Sequence, residues 1–122
     1  MRTYWQIFLS WLIGKSFDTF CPLGPVFTTK DEIDDVQNLD IQTIVNGKIE
    51  QSSNTKNMIF DIATCIEWMS QFWEFKAGDV ILTGTPDGVG AGQNPPVILK
   101  HGDEIIVKIE KLGELRNVVR DE

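Results

Sequence analysis

Two short stretches hold the residue types that could do chemistry, and neither is a complete catalytic set on its own. Gly14-Lys15-Ser16-Phe17-Asp18-Thr19-Phe20 places a lysine between an apolar run and a proline loop. A lysine drawn toward an interior there needs a carboxylate or an anionic ligand beside it. A solvated lysine next to Asp18 is the competing reading. Gly14-Lys15-Ser16 is not a phosphate loop, because the upstream glycine of that motif is absent. The second stretch is Thr83-Gly84-Thr85-Pro86, followed by glycines at 88, 90 and 92. A glycine-rich turn after an apolar segment exposes backbone N–H groups together with a threonine hydroxyl, and that combination suits a carboxylate or another oxyanion. A mere sharp turn is the competing reading here.

Other chemistries lack parts. His101 is the single histidine, and with Gly102-Asp103 behind it reads as a surface residue at a turn. A histidine zinc site or a Ser-His-Asp triad cannot be assembled around it within this chain. Cys21 and Cys65 have neither metal nor redox spacing and read as two buried, reduced thiols. The chain has 18 aspartates and glutamates, yet none is arranged as a metal set. Asp31-Glu32 with Asp34-Asp35 is a charge run in a polar segment and reads as solvated surface.

The elements that must carry these residues can be read from periodicity. Leu39 to Val45 alternates apolar and polar, the pattern of a half-buried strand. Asn46-Gly47 follows, then the strand-like Lys48 to Ser52; Asn-Gly between two such runs predicts a tight hairpin, since both turn residues must take positive φ. Asp61 to Phe75 carries apolar residues at Ile62, Ile66, Met69, Phe72 and Trp73, near a 3.6-residue period, and predicts one amphipathic helix ended by Gly78 with its aromatic stripe in the core. Asp79 to Thr83 reads as a buried strand entering the glycine loop. Glu104 to Glu110 and Leu115 to Val119 complete a set of five or six strands. Residues 20–26 are a Pro/Gly loop, and Thr29 to Asn38 reads as a surface turn or short helix.

Short strands with frequent turns make the fold class mainly β within α+β, a rolled sheet or sandwich with one principal helix. A chain of 122 residues is one domain at most. It exceeds the marginal range of roughly 40 to 60 residues. The composition, 42% hydrophobic and 24% charged, is globular. The net charge is −7 and the lysines are scattered singly, which disfavours nucleic acid as a partner. Tyr4 to Ile13 is an apolar run of about ten residues, too short for a membrane span of roughly 20. Following Arg2 it loosely looks like a signal-peptide core, but its bulky aromatics and the Gly14-Lys15-Ser16-Phe17 that follows do not form a small-residue cleavage site. A core strand fits it better.

The two chemical stretches belong to one ordered pattern. Gly14 to Pro25 resembles the G-K-[SG]-F-D-x-F-x-P-x-G-P motif of the fumarylacetoacetate hydrolase family. The resemblance continues through Val45-Asn46-Gly47, Gln51-Ser52-Ser53-Asn54-Thr55, Met58-Ile59-Phe60, Gly78 to Pro86, Gly88-Val89-Gly90, Gly102-Asp103 and Leu112-Gly113. It covers residues 11–119 and is most similar to the eukaryotic "domain-containing protein 2" branch. The resemblance implies a mixed β-roll, a homodimer, and a divalent metal (Mg²⁺, Mn²⁺ or Ca²⁺) acting on a small 2-oxo or diketo acid; the reduced cysteines suit the cytosol or the mitochondrial matrix equally. The family's reactions are C–C hydrolysis of acylpyruvates or fumarylacetoacetate, decarboxylation of oxaloacetate-like acids, and tautomerisation, all through an enolate.

On that resemblance Lys15 matches the family lysine beside the metal, and Thr85, aided by Gly84, matches the residue that binds the substrate carboxylate. Gln6 falls where the family has a glutamine after an Arg-Asp pair, although Arg2-Thr3-Tyr4-Trp5 replaces the expected residues and the spacing to Lys15 is several residues short. The departure is larger than the match here. The family's Glu-x-Glu and aspartate ligands lie upstream of the glycine-lysine motif, and no acidic residue precedes Gly14. The His-Glu pair of the family's lid is likewise absent. The expectation is a partial catalytic domain over residues 1–122, with the metal-ligand portion missing. Either it belongs to a longer enzyme, or it is a non-catalytic structural remnant or a half-domain that depends on a partner.

Overall fold

The computed structural model describes residues 11–121, which include four β-strands. They are β1 (Asp40–Val45), β2 (Lys48–Asn54), β3 (Glu104–Ile109) and β4 (Gly113–Val118). They form one antiparallel sheet in the order β2-β1-β3-β4. The β1–β2 hairpin turns on Asn46 and Gly47, whose φ angles of 50° and 82° are the positive values a two-residue primed turn requires. Asn46 also ties the hairpin to the neighbouring strand. Its Nδ2 donates to Asp103 Oδ1 at 2.9 Å, and its Oδ1 accepts from the Glu104 N–H at 2.9 Å. At the far end Lys111 (φ 63°) and Gly113 (φ 85°) turn β3 into β4.

The β1–β2 ladder is irregular at one point. The register runs from Asp40 opposite Asn54 to Thr43 opposite Gln51, then jumps so that Ile44 faces Ile49. Glu50 is the extra residue of a β-bulge, which bends β2 and re-aims the side chains on either side of it.

The core is thin. Ile33, Leu39 and Ile106 are the buried apolar side chains among the described residues. Leu39 is held by the Thr55 hydroxyl, which accepts from the Leu39 N–H at 2.9 Å and donates to the Val36 carbonyl at 2.8 Å. Two α-helices lie outside the sheet, α1 (Trp11–Lys15) and α2 (Ile62–Met69). Asp61 caps α2, accepting from the Thr64 N–H at 2.6 Å.

Several expectations need correction. The helix predicted to Phe75 stops at Met69. Ser70 caps it, and the next two bonds, Gln71 N–H to Trp68 O and Phe72 N–H to Met69 O, close over three residues instead of four. Serine and the clustered aromatics that follow are weak helix formers, so nothing local sustains the spiral. The aromatic stripe is not core: Trp68, Phe72 and Trp73 are 59%, 61% and 52% exposed and stack mainly on one another, Trp68 and Phe72 at 4.7 Å between ring centroids. The strand expected at Asp79 to Thr83 joins no sheet among the described residues, and Val80 and Leu82 are exposed. An apolar run makes a strand only where an edge is free to pair with it. Of the apolar run Tyr4 to Ile13, residues 4–10 lie outside the described residues; Trp11 to Ile13 open α1 and are helical, not extended. Cys21 is exposed and Cys65 half-buried, so the buried-thiol reading does not hold, although both are free. Lys30–Glu32 forms a single 3₁₀ turn within the polar segment, as expected.

So much apolar surface has a measurable consequence. The chain at neutral pH is expected to bind the dye anilinonaphthalene sulfonate with a strong fluorescence gain. A signal no larger than that of a well-packed domain of equal size would contradict the exposure of the 68–82 segment.

Candidate carboxylate-binding loop

The glycine loop reaches its position through side chains of β2. Gln51, the residue after the bulge, extends its amide into the turn, and Nε2 donates to Thr85 Oγ1 at 2.9 Å, to Pro86 O at 2.8 Å and to Asp87 O at 3.3 Å. Behind it, Gln93 Nε2 donates to Glu50 Oε2 at 2.9 Å and to Gly88 O at 3.3 Å. Lys48 completes this support, 2.8 Å from Glu50 Oε1. Lys48 first, and Gln93 second, hold the Glu50 carboxyl below its ordinary value. Gly88, at φ 96°, packs so close to the strand that a Cβ would overlap the Glu50 carbonyl oxygen.

Thr85 and Gly84 are exposed at the front of this arrangement. Gly84 takes φ 102° with open space where a side chain would be. It is glycine for conformation, not for crowding. Among the described residues the N–H groups of Gly84 and Thr85 donate to no protein acceptor. Amide donors without a protein acceptor beside an exposed hydroxyl are the groups that one end of a carboxylate requires.

Lys15 ends α1 and is exposed. It makes no ion pair among the described residues, and no hydrogen bond joins it to the 83–93 loop. Thus the structure joins Thr85 to Gln51, with Gly84 its chain neighbour, and leaves Lys15 apart among the described residues. Gln6 lies outside the described residues. Sequence reasoning missed Gln51, Glu50 and Gln93 as parts of the loop's support. Gln51 lay inside the Gln-Ser-Ser-Asn-Thr run, but nothing in that run reveals that a bulge turns it toward residues 85–87.

A divalent ion finds no home in these residues. Among the described residues no three His, Cys, Asp or Glu side chains come together to hold a metal. A hard dication wants about six oxygen ligands with carboxylates among them. The donor set present does not fit. His101 is at the surface as expected, its Nδ1 accepting from the Asp121 N–H at 3.0 Å. A hollow of about 450 Å³ lined by Asp40, Lys108 and Glu114 shares no residue with the glycine loop.

The comparisons with known proteins agree on one group. The family described as fumarylacetoacetate (FAA) hydrolase C-terminal matches residues 1–120. The human protein named oxaloacetate tautomerase FAHD2B, mitochondrial, is 57% identical over 109 residues, which are 89% of this chain and 35% of that protein. The fumarylacetoacetate hydrolase of Exiguobacterium antarcticum superposes with a TM-score of 0.86 at 48% identity, over 89% of this chain and 39% of that one. The maleylpyruvate hydrolase of Sphingobium sp. SYK-6, solved with manganese(II) and pyruvate, superposes with a TM-score of 0.76 at 39% identity, over 85% of this chain and 37% of that one. The chain spans about a third of the length of the curated relatives it matches.

Proposed function

The chain belongs to the fumarylacetoacetate hydrolase family, and from that membership we propose that it forms the substrate-carboxylate side of an enzyme acting on a small 2-oxo acid, with keto–enol tautomerisation of oxaloacetate as its reaction. The family's members include tautomerases, hydrolases and isomerases. The tautomerase reading is preferred over acylpyruvate hydrolysis because the relative bearing that name is 57% identical, against 39% for the maleylpyruvate hydrolase.

The observation that carries the reading is the front of the loop: a threonine hydroxyl and the Gly84 and Thr85 amides, which have no protein acceptor among the described residues. Tautomerisation moves one proton between C3 and the C2 oxygen, with no change in oxidation state. Its transition state gathers negative charge on the C2 oxygen, so a fixed positive group there lowers the barrier. Thr85 and the Gly84 backbone orient the substrate by its carboxylate; Lys15, which stands apart from the loop among the described residues, takes the cationic role toward the enolate oxygen on the family resemblance alone. Magnesium or manganese, implied by the family, requires ligands other than the described residues. The chain by itself is therefore inactive in this proposal. Homodimerisation and a mitochondrial location are part of the same proposal, the second because the curated relatives carry that word in their names. Among the described residues no helix is long and apolar enough to cross a membrane.

Two measurements test it. Titrating pyruvate into the ¹⁵N-labelled chain is expected to shift the resonances of Gly84 and Thr85 with millimolar affinity, the range expected of a few solvent-exposed hydrogen bonds. Shifts confined to other parts of the sheet would sink the carboxylate reading. Calorimetric titration with Mg²⁺ is expected to show no binding; a single micromolar site would refute the assignment of the metal ligands to other residues.

A further inference from the structure

We propose that Gln51 is the positioning residue of the carboxylate-binding loop, holding the Thr85 hydroxyl as a hydrogen-bond donor toward the substrate. The inference rests on the reading of Thr85 and Gly84 as a carboxylate site. The inventory of protons supports it. Gln51 Nε2 has two hydrogens and meets three acceptors, Thr85 Oγ1 at 2.9 Å, Pro86 O at 2.8 Å and Asp87 O at 3.3 Å. Two of these are peptide carbonyls, which can only accept. The amide nitrogen of Gln51 must therefore face them, since the flipped orientation would set its oxygen against two other oxygens. Thr85 Oγ1 then receives a proton from Gln51, and its own proton is left for another partner.

That polarity is what a carboxylate needs. A free threonine hydroxyl can present either its proton or its lone pairs, and an anion selects only the first. Gln51 settles the choice before the ligand arrives, which removes part of the ordering cost of binding. The same side chain fixes the Pro86 and Asp87 carbonyls on the β2 side. The bulge at Glu50 is what brings Gln51 there, and Gln93 repeats the device one step along by pinning Gly88 O.

Gln51→Glu keeps the shape but exchanges the donor for an acceptor. The Thr85 proton then turns toward the introduced carboxylate, and Pro86 O and Asp87 O are repelled. With pyruvate as the probe and the 122-residue chain as the protein, the expected result is an affinity about tenfold weaker, with resonances of β3 and β4 unmoved and the thermal midpoint changed little. A purely structural glutamine would shift the midpoint and leave the affinity of the folded chain alone. Gln51→Met keeps the length, loses the hydrogen bonds, and carries the test if the glutamate variant does not fold. Unchanged pyruvate affinity in a folded variant overturns the role of Gln51. Absence of any pyruvate effect at Thr85 in the unsubstituted chain overturns the carboxylate reading instead. In that event the positioning role is judged on ¹⁵N relaxation of residues 84–88 without ligand, where greater mobility in the variants sustains it and equal mobility removes it.

Discussion

Gly88→Ala is expected to lift the glycine loop off β2 while leaving the sheet in place. Gly88 has φ 96°, and its missing side chain would overlap the carbonyl oxygen of Glu50, a backbone atom that cannot turn aside as a side chain could. The left-handed conformation alone costs a non-glycine residue roughly 1–2 kcal/mol. Displacing a strand backbone at the bulge adds to that, for a local cost of about 3 kcal/mol. The loop is held by a few hydrogen bonds from Gln51 and Gln93, so detaching it relieves the clash at less cost than opening the β1–β2 pairing. The expected signature is large shifts for residues 84–90, loss of the pyruvate response, and a urea midpoint that hardly moves. Gly84→Ala is the control. Nothing lies within 4 Å of its added methyl, so it carries the conformational cost without the clash. Equal behaviour of the two variants would show that crowding against Glu50 does not fix the loop.

The contrast between these two glycines marks what the sequence makes legible. Positive-φ turns are written in residue identity: Asn46-Gly47 between alternating runs implies a primed turn, and the structure places both residues at positive φ. β3 follows from the apolar pattern of Glu104 to Glu110, and β4 from the turn at Gly113 that opens it. Ladder partners are not written locally. Asp79 to Thr83 has a strand's composition but joins no sheet among the described residues, and the helix reading of Asp61 to Phe75 assumed that an apolar stripe would find a core to cover it. Periodicity states which face is apolar, not what it packs on.

The site divides along the same line. Lys15, Gly84 and Thr85 come from ordered motifs that need no geometry. Gln51 acts only because Glu50 is one residue too many in the β1–β2 ladder, and the direction of a bulged side chain is a property of the pairing, which no stretch of β2 shows by itself. The absence of acidic residues before Gly14 was visible in the letters, and the described residues offer no replacement metal set.

Asn46→Ala is expected to be among the most destabilising single changes in the sheet, and to alter its pH dependence at the same time. The side chain makes two bonds across the start of β3, to Asp103 Oδ1 and from the Glu104 N–H, each at 2.9 Å. The bond from the Glu104 N–H contributes about 1 kcal/mol net. Asparagine tolerates the φ of 50° better than alanine, which adds about 1 kcal/mol more. The expected loss by urea denaturation is about 2 kcal/mol from these two sources, and the bond to Asp103 adds to it. The same asparagine is the first cause, and the Lys100 backbone N–H the second, of an Asp103 carboxyl held below its ordinary value of 3.8. A carboxyl whose folded value is depressed stabilises the fold above its unfolded value and loses that contribution as pH falls through the folded one. The parent chain should therefore hold steady above about pH 5 and weaken as the pH drops below about 4, with Glu50 and Asp61, both depressed, acting in the same direction. In Asn46→Ala the part due to Asp103 shrinks, so the stability gap between variant and parent should narrow in acid. A gap that stays constant from pH 7 to pH 3 would mean that Asn46 acts through the turn alone and not through Asp103.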